Sequence, residues 1–111
     1  MSMKRSQYVE QCLKCKLPCD YKKFIDKYGY GIINNLEIFG YSEDTVDIDK
    51  FPCVIGMTNK YRLNGVILDN EIAIAVDDDY VYGYSLLSNS YFKKSIEGVY
   101  INIKTPFGGI E

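Results

Sequence analysis

The chain has 111 residues, enough for one ordinary domain and too few for two, so we expect a single domain over residues 1–111. Histidine is absent, which removes the commonest general base and the commonest metal ligand. Residues 1–28 carry seven basic and three acidic side chains, whereas residues 29–111 carry six basic and twelve acidic ones. An acidic body repels phosphate backbones and attracts basic proteins, so we expect no nucleic-acid partner.

The N-terminal residues predict no targeting segment. No apolar run follows the basic pair Lys4-Arg5, as a signal peptide would require, and no stretch approaches the ~20 apolar residues that span a bilayer. We therefore expect a cytosolic protein with no membrane partner. In that compartment the four cysteines would be reduced thiols; they are Cys12, Cys15, Cys19 and Cys53.

Two helices are predicted at the start of the chain. The first runs from about Ser6 to Lys14, with Ser6 as its N-cap. The second begins near Pro18, which suits the first helical position, and stops before Gly29. Each has one apolar stripe: Tyr8, Val9, Cys12 and Leu13 in the first, and Leu17, Tyr21, Phe24, Ile25 and Tyr28 in the second.

The middle of the chain predicts a hairpin, a loop and a short helix. Two apolar runs flank Asn34-Asn35, a pair that suits a tight turn, so residues 30–40 should form a small hairpin. Residues 41–50 form an acidic loop. Residues 51–63 fit neither the helical nor the strand period cleanly, and we favour a short helix opened by Pro52.

The last third predicts an antiparallel sheet. Residues 65–68, 72–76, 80–87 and 99–103 are apolar or alternating runs, separated by turns at 69–70 and 77–79 and by a polar loop after 87. In the third run Tyr80, Tyr82 and Tyr84 share one face. The predicted fold class is α+β, with N-terminal helices packed against a mostly antiparallel sheet.

Three sequence blocks resemble the SUKH superfamily, which includes the yeast Smi/Knr cell-wall regulators and many bacterial immunity proteins. They are LPCDYKKFI at 17–25, KYGYG at 27–31 and LEIFGY at 36–41. Fainter similarity extends over IAIAVDD at 72–78 and YVYGYSLL at 80–87, so the resemblance covers about residues 8–103. The chain departs from the family pattern in a short middle segment, in a 77–79 turn without glycine and in its last seven residues.

The resemblance implies an α+β domain without a catalytic centre or cofactor. Bacterial members of the superfamily mostly bind and inactivate a toxin, often a nuclease, inside the producing cell. The family supplies no transferable set of contact residues. The residues themselves agree on the absence of catalysis, because the sequence contains no P-loop, dinucleotide fingerprint or nucleophile elbow.

The cysteines allow a metal-site alternative. Cys12 and Cys15 have zinc-knuckle spacing, and Cys19 and Cys53 would complete a four-thiolate site. Zinc ribbons usually use two knuckles, however, and cysteine often packs as a small apolar residue. We therefore expect packed or surface thiols rather than a metal.

Two acidic segments are the candidate partner-binding residues. One is Glu43, Asp44, Asp47 and Asp49, and the other is Asp77, Asp78, Asp79 and the adjoining Tyr80. Both could instead be solvated turns, since charged clusters are usually exposed. Three consecutive aspartates cannot all point the same way, which argues against a metal site. The tyrosine face has two readings as well: packing against the helices, or an exposed interaction surface.

These observations predict a protein that is not an enzyme and that binds a basic cognate toxin. We expect it to be a monomer or a weak homodimer. The first alternative is a regulatory adaptor of the Smi/Knr type, which binds a host protein. The second is a small domain stabilised by zinc on its four cysteines.

Overall fold

A computed structural model describes residues 4–33, 35–42, 53–95 and 97–104. Over these ranges the helices come early and the longer strands come late. The elements are α1 (Arg5–Leu13), α2 (Cys19–Tyr28), β1 (Gly31–Ile33), β2 (Leu36–Ile38), α3 (Val54–Leu63), β3 (Glu71–Val76), β4 (Tyr80–Ser85), β5 (Ser90–Ser95) and β6 (Tyr100–Ile103). This order confirms the predicted α+β class.

The six strands form one sheet in the order β1-β2-β3-β4-β5-β6, and every neighbouring pair is antiparallel. In such a meander the β1–β2, β3–β4 and β5–β6 turns all lie at the same end of the sheet. The register between β3 and β4 shifts between Ala73 and Ala75, which marks a bulge. Beside it, Thr58 of α3 donates to the Ala73 carbonyl (3.3 Å) and accepts from its N–H (3.1 Å), which ties α3 to the sheet.

Helix α2 was predicted well because its stripe is apolar and its ends are marked. Tyr21, Phe24 and Ile25 are buried, and the chain leaves the helix at Gly29 with a φ of +82°. The Tyr21 hydroxyl is fully buried and donates to the Phe39 carbonyl at 2.6 Å, which joins the helix to the end of β2.

Helix α1 packs on most of the predicted stripe, with Ser6 in place of Cys12. Its buried residues are Ser6, Val9 and Leu13, and Cys12 is exposed. The expected N-cap role of Ser6 is wrong, because the helix begins at Arg5 with Lys4 as the cap. Ser6 instead donates its N–H and its hydroxyl to the Asp26 carboxylate of α2, at 2.9 and 3.0 Å. These hydrogen bonds turn the Ser6 face of α1 towards α2.

The backbones of Gly29 and Gly40 meet closely where α2 and β2 end. A Cβ atom built on Gly40 would lie 1.6 Å from the Gly29 carbonyl oxygen, so no larger residue fits there. The N–H of Tyr41 also donates to the Gly29 carbonyl at 3.1 Å. The two glycines therefore let the end of α2 contact the end of β2. A side chain at Gly40 would force these two backbone segments apart.

Two predictions about the last third need correction. The polar loop expected after residue 87 contains β5, whose Tyr91 and Phe92 are buried in the core. The expected run at 65–68 is not a strand; it connects α3 to β3, with only Ile67 of the run fully inside. The hairpin at 31–38 and the helix at 54–63 are confirmed. Across the described ranges, no helix has both the length and the apolarity needed to cross a bilayer.

Candidate functional site

The pairing register assigns the side chains of the central strands to two faces. Residues directly opposite each other in antiparallel strands point to the same side. Tyr80, Tyr82 and Tyr84 of β4 therefore share a face with Tyr91 and Lys93 of β5. We call this the tyrosine face. The opposite face carries Val76, Val81 and Lys94, which lie side by side across β3, β4 and β5.

The start of α2 lies close to one end of the tyrosine face. The rings of Tyr84 and Tyr91 meet edge to face, with centroids 5.1 Å apart, and Tyr91 is buried. Burial, followed by the nearby Asp20 charge, raises the pKa of both phenols. Because Asp20 and Cys19 are the first residues of α2, the start of that helix lies close to this end of the face. Here the expectation of core packing describes the tyrosines correctly.

The other end of the tyrosine face is half-exposed. Tyr80 and Tyr82 are only partly buried, and their rings meet edge to face. The Lys93 ammonium lies 4.4 Å from the centre of the Tyr80 ring, in a cation–π contact. This end adjoins the 77–79 turn. Tyr82 packs against the core there, whereas Tyr80 lies against Lys93, so both readings of the tyrosines apply.

Asp77 holds the β3–β4 turn in place. Its Oδ1 accepts from the N–H groups of Asp79 and Tyr80, both at 2.8 Å, and its Oδ2 accepts from the Tyr82 hydroxyl at 2.7 Å. Burial alone would raise the pKa of this carboxyl. The hydrogen bonds from Tyr82, Asp79 and Tyr80, with the nearby Lys93 charge, outweigh burial and hold the pKa below its usual value. The carboxylate of Asp77 is therefore ionised and committed to the turn.

Asp78 and Asp79 point into solvent. Within the described part of the chain, neither carboxylate takes part in a hydrogen bond or an ion pair. The turn thus divides into one structural carboxylate and two free ones, in agreement with the expectation that three consecutive aspartates cannot point the same way.

The turn borders an open groove of about 540 Å³ on the face opposite the tyrosines. Its floor is Val76, Val81 and Lys94, and its wall is Tyr61 and Val66 from the end of α3 and the connection after it. All four predicted contact residues from 77 to 80 line it, and Glu97 of the β5–β6 turn faces them from the same end of the sheet. We call this site the end groove.

The remaining predicted contact residues cannot be placed. Glu43, Asp44, Asp47 and Asp49 lie outside the described residues, so their role stays a prediction. The sequence reasoning did not single out Lys94 or Glu97. A meander of regularly spaced strands would have indicated that the 77–79 and 96–99 turns lie together, but that inference needs β5, which was read as a loop.

The four cysteines differ in their exposure to solvent. Cys12 and Cys19 are exposed, Cys15 is intermediate and Cys53 is buried. Among the described residues, which include all four, no three Cys, Asp or Glu side chains group as metal ligands would. Burial raises the pKa of Cys15, which disfavours the thiolate that would bind a metal.

Comparison with protein families agrees with the sequence blocks described above. The SUKH_5 family model, described as SMI1-KNR4 cell-wall, matches residues 1–98. The match includes both helices of the N-terminal pair, the hairpin, α3 and the sheet through β5. The chain therefore belongs to the SUKH superfamily.

Proposed function

We propose that this chain is an immunity protein, which binds a cognate toxin and blocks it without catalysing a reaction. The observation that carries the proposal is membership of the SUKH superfamily, since an immunity role is common in that family. Fold alone does not fix function, so the proposal also needs a surface suited to a partner. The end groove, with its unpaired carboxylates, supports it.

The charges of that surface favour a basic toxin. Among the described residues that line the groove, four are acidic and one is basic; they are Asp77, Asp78, Asp79, Glu97 and Lys94. Exposed carboxylates grouped in this way speed up association with a cationic partner and select against acidic ones. A nuclease fits this description, because its substrate cleft must attract phosphates. Occupation of that cleft by an acidic surface would exclude the substrate.

Co-expression tests the proposal directly. The toxin encoded next to this chain's gene should stop growth when expressed alone, and growth should recover when the full chain is co-expressed. A variant of the same protein with Asp44, Asp47 and Asp49 all changed to lysine should associate more slowly at low salt while keeping its fold. Growth arrest that the wild-type chain does not relieve would contradict the immunity role.

The printed description of the matched family, SMI1-KNR4 cell-wall, favours a second candidate. On that reading the chain is a regulatory adaptor that binds a host protein. Gene neighbourhood separates the two cheaply, because an immunity protein is encoded beside its toxin and an adaptor is not. Absence of a neighbouring toxin gene, together with a stable complex with a host protein of the cell-wall machinery, would support the adaptor.

A further inference from the structure

The end groove combines an apolar floor with an acidic rim. Val66, Val76 and Val81 supply branched apolar surface, and each remains partly accessible. Because the β3–β4 and β5–β6 turns lie at the same end of the meander, Asp78, Asp79 and Glu97 stand around one opening. An occupant must therefore be apolar along its length and positive at its tip.

The three rim carboxylates are free to bind such a tip. Over the described ranges, the side-chain carboxylates of Asp78, Asp79 and Glu97 make no hydrogen bond or ion pair, and all three residues are exposed. Like charges held near one another repel, so the grouping contributes nothing favourable to the isolated chain. A cation that enters the groove would relieve this repulsion.

Of the groove's lining residues that the structure describes, Lys94 is the only cation, and it does not neutralise the rim. The Lys94 Nζ donates to the Val66 carbonyl at 2.9 Å, which directs the ammonium to the wall of the groove. Its aliphatic stem lies along the floor beside Val81, its direct neighbour across the strands. Lys94 shows how a long basic side chain can lie on this floor with its charge on an oxygen.

We propose that the end groove receives an arginine side chain of the protein partner. The stem would pack on the valines, and the guanidinium would reach the carboxylates of Asp78, Asp79 and Glu97. Arginine suits this site better than lysine, because its planar group binds carboxylates through two hydrogen bonds and loses less hydration. It also stacks on aromatic rings, and Tyr61 lines the groove. The inference rests on the proposed binding function and names the side chain that the surface selects.

A peptide titration tests the proposal without the toxin. The full chain, labelled with ¹⁵N, is titrated with a short capped peptide that alternates glycine and arginine, and amide shifts are followed by NMR. Saturable shifts should appear at Val66, Val81 and Glu97, and a peptide with citrulline in place of arginine should bind about tenfold more weakly. Replacement by lysine should give an intermediate affinity.

Matched variants locate the binding. Glu97→Gln and Asp78→Asn should each weaken the arginine peptide by about two- to fivefold, which is the usual range for an exposed charge pair. Asp69→Asn removes one exposed carboxylate outside the groove and serves as the control, with no change expected. Equal binding of arginine and citrulline peptides, equal loss in the control, or the absence of saturable shifts would each overturn the proposal.

The peptide-binding test and the toxin-protection test can fail independently of each other. A chain that protects cells from its toxin but shows no groove binding keeps the immunity role and loses the arginine site. A chain that binds the arginine peptide in the groove but protects against no toxin keeps the site and loses the immunity role.

Discussion

The two ends of strand β4 differ in what surrounds them. At its C-terminal end, Tyr84 packs on Tyr91 close to the start of α2, and the turn that follows, residues 86–89, carries no charge. At its N-terminal end, Tyr80 is half-exposed and the preceding turn is three aspartates. All three tyrosines of the strand are partly buried. Tyr82 and Tyr84 pack against the core, whereas Tyr80 lies against Lys93 beside the acidic turn. What distinguishes the two ends is the buried Tyr91 beside one of them and the acidic turn beside the other.

The largest expected effect is a difference in unfolding free energy between alanine substitutions at the two ends. Tyr91→Ala should cost about 3–4 kcal/mol of unfolding free energy, because it empties a buried site in the core. Tyr80→Ala, at the open end, should cost less than about 1 kcal/mol, as for other partly exposed residues. Urea unfolding followed by circular dichroism measures both. Similar costs at the two positions would show that the open end is packed as tightly as the end beside Tyr91.

Within the open end, Asp77 and Asp78 should behave differently. Asp77→Ala removes the acceptor of three hydrogen bonds in the β3–β4 turn and should destabilise the fold by about 1–2 kcal/mol. Asp78→Ala removes a solvated carboxylate and should change stability by less than about 0.5 kcal/mol. The same urea-unfolding experiment measures the stability cost of both substitutions. A cost at Asp78 equal to that at Asp77 would mean that both carboxylates hold the turn.

The division within the turn also predicts a pH dependence. The folded-state pKa of Asp77 is lowered, so the native state binds fewer protons there than the unfolded chain does. The stabilisation by Asp77 is therefore fully present above the unfolded pKa of about 3.9 and is lost as the pH falls through the lower folded value. The stability gap between the wild type and Asp77→Ala should narrow as the pH falls from about 5. A gap that widens instead would reverse the sign of the argument.

Sequence periodicity predicted the elements that bury one face. The stripe of Tyr21, Phe24 and Ile25 fixed α2, and Gly29 marked its end. Strand β5 was not predicted, because Tyr91 and Phe92 are consecutive and both buried, and two lysines follow them. When consecutive residues of a strand are buried on opposite faces, the sequence shows no alternation of apolar and polar residues, and periodicity does not predict the strand.

The candidate site could be predicted in part. Acidic composition and turn position indicated residues 77–79, and the steric argument about consecutive aspartates anticipated that they would divide. The groove beside them could not be predicted, because its wall comes from Tyr61 and Val66, which are close to the turn in space but not in sequence. The side-chain roles of Ser6 and Asp77 likewise depend on partners 20 and 5 residues away.

The most direct measurement is the association rate of the purified chain with its toxin at low salt. The account predicts that the triple variant Asp78→Asn, Asp79→Asn, Glu97→Gln associates about three- to tenfold more slowly than the wild type, while its stability stays within about 0.5 kcal/mol. Asp69→Asn should associate at the wild-type rate, and added salt should reduce the difference between the triple variant and the wild type. An unchanged rate for the triple variant at low salt would contradict the claim that the acidic end of the sheet is the binding surface.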